Sequence, residues 1–167
     1  MKSLNIIIKT MMLLLFTTVA LAPAPLWAQQ KKQDKKTMIK DAVEAGNYVF
    51  IPQTAIPASG NTRQLTYDFD LRVSKDTVVS DLPYFGRAYT APVNPEQGPL
   101  SFTSTKFQYT INDRKKGGWN VMIKPQDLQQ DQVQIMMSIF ENGNASVTVN
   151  STNRQPIVFN GYIRAKK

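Results

Sequence analysis

The sequence predicts an all-β domain with one N-terminal helix, and three observations carry that prediction. Apolar and polar residues alternate along most of the chain after Asn47, the period-two pattern of strands with one buried face. Turn-forming residues interrupt the alternation at short intervals. Apolar residues at helical spacing occur in a single stretch, residues 31–45.

The first residues read as an export signal rather than as fold. Lys2 and Lys9 make a basic start, Met11–Ala22 is apolar apart from two threonines, and PAPLWAQQ follows. Charged, then apolar, then small and helix-breaking is the order of a secretory signal peptide. The apolar run is too short for a membrane span, which needs about 20 residues. Cleavage is expected after Ala28. This divides the chain into a signal peptide (1–28), a basic segment with the helix (29–46) and a single β domain (47–167). No cysteine follows the apolar run to carry a lipid anchor. A periplasmic or secreted protein is expected, with no transmembrane span in the mature chain.

In the helix, Met38, Ile39, Ala42 and Val43 share a face, Asp41 and Glu44 point away, and Gly46-Asn47 is a stop signal. Tyr48–Ile51 is a strand expected to end at Pro52, with a loop after it. Leu65, Tyr67, Phe69, Leu71 and Val73 alternate with polar residues as the cleanest strand of the chain, and Thr77–Ser80 runs back. Beyond the dense segment LPYFGRAYTAP (Leu82–Pro92), Phe107–Ile111 and Trp119–Ile123 flank the hairpin segment NDRKKGG. Val133–Ile139 and Ala145–Val149 flank Asn142-Gly143, for which a type I′ turn is expected. Pro156–Ile163 closes the domain. About eight strands joined by short hairpins fit an antiparallel meander closed as an up-and-down barrel, a half-barrel or a sandwich.

Composition removes several functions. The chain has no histidine and no cysteine, which excludes Ser–His and Cys–His catalysis, disulfides and the usual zinc sites. The formal charge of +8 is concentrated at the two ends, and Gly46–Ile163 holds ten Lys or Arg against nine Asp or Glu. A nucleic-acid groove needs a basic face on the domain itself, so no nucleic acid is expected as partner. Neither a metal nor a cofactor is expected.

The candidate ligand-binding residues are Tyr84, Phe85, Arg87, Tyr89 and Arg154. The three aromatics suit stacking on a ring or sugar, and the arginine forks suit a carboxylate or phosphate. The competing account makes LPYFGRAYTAP an ordered plug that closes one end of the core. Asp68, Asp70, Asp81 and Glu96 are the candidates for carboxylate-only hydrolysis, which requires two carboxylates facing each other about 5–9 Å apart in a cleft. Met136, Met137, Phe140, Val158 and Tyr162 make the last strands apolar on both faces. Burial of the second face beneath the helix is expected, with an interface or an internal cavity for an apolar ligand as alternatives.

LPYFGRAYTAP, the downstream pattern Gly143, Ala145, Val147, Val149, Ser151, Asn153-Arg154-Gln155 and the closing Phe159, Gly161, Ile163 resemble a family of secreted domains of unknown function found in Bacteroides-type Gram-negative bacteria. The resemblance runs from about Asp41 to Arg164. It implies an exported β-rich domain and no established activity, so it assigns no catalytic residue. The expected protein is a monomeric, non-enzymatic envelope domain binding a small apolar ligand, a glycan or an envelope protein. A carboxylate-only hydrolase and an inhibitor or assembly module acting through a sheet edge are the alternatives.

Overall fold

The structure, a computed structural model, describes residues 26–66, 68–89, 98, 100–128 and 131–166, with side chains from Gln33 onward. Most of the expected export signal, Tyr67 and Glu96 lie outside the described residues. Residues 33–167 form one compact unit. Among the described residues, no helix is long and apolar enough to cross a membrane.

Among the described residues, helix α1 (Leu26–Glu44) is followed by ten strands: β1 (Tyr48–Pro57), β2 (Arg63–Gln64), β3 (Asp70–Val73), β4 (Val78–Leu82), β5 (Leu100–Ser104), β6 (Phe107–Asp113), β7 (Trp119–Pro125), β8 (Gln134–Ile139), β9 (Asn144–Asn150) and β10 (Ile157–Ala165). They make one antiparallel sheet in the order β5-β4-β3-β1-β10-β9-β8-β7-β6, with β2 added beside β1. The sheet curls into a nearly closed barrel. Antiparallel neighbours alternate in direction, so β5 and β6, at opposite ends of that order, run the same way. Only Thr105-Lys106 separates them, a link that spans no more than about 10 Å. The two are therefore one bent strand, laddered to β4 in its first half and to β7 in its second, and the bend closes the sheet.

Asp127 holds that bend. Its carboxylate accepts from the Ser104 hydroxyl (2.5 Å) and from the backbone N–H groups of Thr105 (2.8 Å) and Lys106 (3.2 Å). These bonds, led by the one from Ser104, hold its pKa down at about 2.

The interior is filled. Tyr48, Phe50, Leu71, Leu82, Leu100, Ile123, Ile135, Met137, Ile139, Ile157 and Phe159 are fully buried, which leaves a packed core rather than a ligand chamber. At one end, Trp119 pairs with both Asp113 and Ile139, so the β6–β7 and β8–β9 turns lie together. The helix docks there. Ile39, Ala42 and Val43 are buried in the core, Lys36 pairs with Glu141 at 2.8 Å, and the Tyr109 hydroxyl donates to the Val43 carbonyl at 2.8 Å. The opposite end gathers the β7–β8 connection, the β9–β10 turn and the segment after β4, and is called the loop end.

Several details differ from expectation for identifiable reasons. β1 does not stop at Pro52. A register shift between Pro52 and Thr54 makes Gln53 a bulge, where a missing donor is tolerated, and the Gln53 carbonyl accepts from Leu65 N–H instead. The strand expected over Leu65–Val73 contracts to β3. Leu65 and Leu71 are six residues apart while their partners Gln53 and Phe50 are three apart, so the surplus must leave the ladder. β5 lies in a stretch to which the sequence pattern assigns no strand.

The β6–β7 and β8–β9 hairpins each use a three-residue loop. Gly143 N–H donates to Phe140 and Gly117 N–H to Arg114, with φ of 87° and 83° at these glycines. Asn142 keeps a negative φ. The turn is thus type I with a glycine bulge, not type I′. The helix buries Ile39, Ala42 and Val43 but leaves Met38 59% exposed. Met136, Phe140 and Tyr162 lie on the outer wall, 39%, 43% and 38% exposed, and not beneath the helix. Arg114 stacks on Phe140 at 4.4 Å.

Candidate functional site

At the loop end, the segment after β4 folds back on itself. The Tyr84 ring lies over Gly86, where a β-carbon would sit 2.8 Å from the tyrosine hydroxyl. A side chain there would have to push the tyrosine ring aside. The hydroxyl lies 2.8 Å from the Arg87 carbonyl and 3.2 Å from the Gln155 carbonyl, and burial raises its pKa. Tyr84 and Phe85 are half-buried against the core. Ala88 bridges Arg154, with Tyr89 N–H donating to the Asn153 carbonyl (2.8 Å) and Gln155 N–H to the Arg87 carbonyl (3.2 Å). The segments 87–89 and 153–155 thus form a short two-stranded ribbon.

Arg154 leaves that ribbon on one face. Its guanidinium donates to Asp131 at 2.6 Å, with the two side chains 10% and 16% exposed. Asp131 also accepts from the Ser151 hydroxyl (2.7 Å), and from the Thr152 hydroxyl and N–H (each 3.2 Å). This hub ties the β9–β10 turn to the β7–β8 connection.

Between them the sheet opens. The β7–β8 ladder ends at Ile123↔Ile135, whereas β6–β7 continues to Phe107↔Pro125 and β8–β9 to Gln134↔Asn150. The divergence leaves an open cleft of about 840 Å³, lined by Gln108, Lys124, Pro125, Gln126, Leu128, Asp131, Gln132, Val133, Gln134, Asn150, Ser151 and Thr152. Amides and hydroxyls dominate it. Among the described lining residues, Lys124 is the one cation, and the one carboxylate, Asp131, is already engaged. Such a lining offers many neutral donors and acceptors, the chemistry that matches a hydrated, hydroxyl-rich ligand.

None of the five candidate residues read from the sequence lines this cleft. Tyr84 and Phe85 pack the loop, Arg154 braces the cleft wall, and Arg87 and Tyr89 project into solvent, Tyr89 being 64% exposed. The structure does bring the Arg87 and Arg154 loops together. The cleft residues escaped the sequence reading because each is the polar member of an ordinary alternating strand. One signal was available: QDLQQDQVQ, residues 126–134, carries five glutamines. The described candidate carboxylates, Asp68, Asp70 and Asp81, do not line the cleft. Asp70 and Asp81 are cross-strand partners, engaged by Arg72 at 3.1 Å and by Ser101 at 3.0 Å. No group of three or more metal-binding side chains occurs among the described residues.

Fold and site together define a small all-β barrel module, stoppered by a helix, with a polar cleft at its loop end. The chain belongs to the family described as "Domain of unknown function (DUF4251)", which matches residues 30–163. Its fold is similar to the crystal structure of a DUF4251 family protein from Bacteroides eggerthii DSM 20697, with a TM-score of 0.58 and 17% identity over 78% of this chain and 87% of that one. No curated protein matches the chain.

Proposed function

We propose that this protein is an exported, non-enzymatic envelope domain that binds a glycan in the cleft between β7 and β8. One observation carries the reading: the barrel interior is filled, while the sizeable concavity at its loop end is lined by glutamine, asparagine, serine and threonine. A filled core argues against carriage of an apolar molecule inside the barrel. Neutral polar groups, with Leu128, Pro125 and Val133 as small apolar patches, suit the alternating hydroxyl and C–H faces of a sugar. Export rests on the basic and apolar start of the sequence.

The hydrolase alternative lacks support from the described carboxylates. Asp70 and Asp81 lie outside the cleft and Asp131 is held by Arg154 and two hydroxyl residues. Calorimetric titration of the purified protein with a panel of neutral oligosaccharides tests the reading. Saturable binding, weakened at least tenfold by Gln134→Ala with Asn150→Ala, is expected. Binding that ignores this double variant would place the ligand elsewhere.

A further inference from the structure

We propose that the glycan is acidic, and that its carboxylate is taken by a second subsite on the opposite face of the ribbon from the cleft, formed by Arg87 and Arg63 beside Tyr89. The inference rests on the glycan reading of the cleft and names the ligand class.

The geometry follows from the ribbon's pairing. Ala88 and Arg154 are bridge partners, so their side chains share one face, the face on which Arg154 reaches Asp131 and the cleft wall. Arg87 and Tyr89 flank Ala88 and therefore project from the other face. Gln155, opposite Arg87, lies on that face too, and its side chain meets the Ser59 hydroxyl at 3.2 Å. The loop after β1 thus comes alongside. That loop leads into Arg63, which stacks over Phe85 at 4.7 Å. Phe85 is two residues from Arg87, so the two arginines stand on neighbouring loops at this end.

Among the described residues, neither Arg87 nor Arg63 has an ion-pair partner, and both are exposed. Arg154, a third arginine at this end, is neutralised by Asp131. The stacked Arg63 is pre-oriented by the ring beneath it, which reduces the ordering cost of presenting its donor fork. Tyr89 adds an exposed aromatic face beside Arg87, suited to a sugar ring. A chain seated against Ser151 and Thr152 in the cleft has only the ribbon to cross before it meets Tyr89, because Tyr89 is bonded to Asn153, the residue after Thr152. A cleft dominated by amides and hydroxyls on one face, with Lys124 as its cation, and a cationic, aromatic subsite on the other match a polymer of uncharged and uronic-acid sugars.

The test compares a soluble oligogalacturonate with a neutral galactose oligomer of equal length, using the full protein at low and at physiological salt. The acidic probe should bind about tenfold tighter, a difference of about 1.4 kcal/mol, and the preference should shrink as salt rises. Arg87→Ala with Arg63→Ala should bring the acidic probe down to the affinity of the neutral one. Arg87→Lys, which keeps the charge and loses the fork, should fall between. Equal affinities of the two probes for the unaltered protein would overturn the anionic subsite and leave the cleft reading standing. Binding of neither probe would overturn both. Arginine-dependent binding to vesicles containing anionic lipid, without binding of the acidic oligosaccharide, would replace the glycan by a membrane surface.

Discussion

Arg154 donates to Asp131 at 2.6 Å with both side chains largely shielded from water, and this pair, with the Ser151 and Thr152 bonds to the same carboxylate, joins the β9–β10 turn to the wall of the cleft. Removing one partner strands a shielded charge, so Asp131→Ala should destabilise the fold by about 3 kcal/mol, the low end for a buried pair. Denaturant titration measures it. Because the two residues interact directly, the double variant with Arg154→Ala should cost less than the sum of the single changes.

The bend between β5 and β6 makes a prediction in acid. The folded state holds Asp127 at about 2, below its ordinary 3.8, so its carboxylate stabilises the fold above about pH 4. That contribution fades as pH falls toward 2. Asp127→Asn should lower the midpoint of thermal unfolding at neutral pH and flatten the decline between pH 4 and pH 2. An unchanged acid profile would remove Asp127 from the closure of the barrel.

At the helix end the sign reverses. Burial raises the Tyr48 phenol well above its usual value, with Tyr109 adding to the effect, and burial raises Tyr109 as well. Groups whose folded pKa is raised contribute stability that is complete below about pH 10 and lost above it. Alkaline unfolding should therefore be steep. Tyr48→Phe, which gives up the contact of its hydroxyl with Met137 at 3.5 Å, should cost about 1 kcal/mol at neutral pH and make the alkaline limb shallower.

Gly161 faces the bulge of β1, where a β-carbon would meet the Ile51 carbonyl oxygen at 2.0 Å. Backbone cannot yield as a side chain can. Gly161→Ala should cost about 1–3 kcal/mol, read as a lowered unfolding midpoint, despite alanine's small size.

Most of the architecture was legible in the sequence, since period-two alternation depends only on one face being buried. Tyr48, Phe50, Val121, Ile135 and Val147 behave as their pattern demands. What was not legible depends on pairing between distant segments. The bulge at Gln53, the shortening of β3 and the identity of β5–β6 as one bent strand all follow from which residues lie opposite which. The cleft belongs to the same class. Gln108, Lys124, Gln134 and Asn150 come from four strands and meet only because two ladders outlast a third. The Tyr84–Tyr89 loop was conspicuous for its aromatics, and two of them turn out to pack it against the core.

The most direct measurement is a map of backbone amide chemical shifts during titration with a neutral oligosaccharide. Shifts at Gln108, Lys124, Gln132, Gln134, Asn150 and Thr152, saturating together, are the predicted result. Shifts confined to the helix end or the outer wall around Met136, with the cleft silent, would contradict the account.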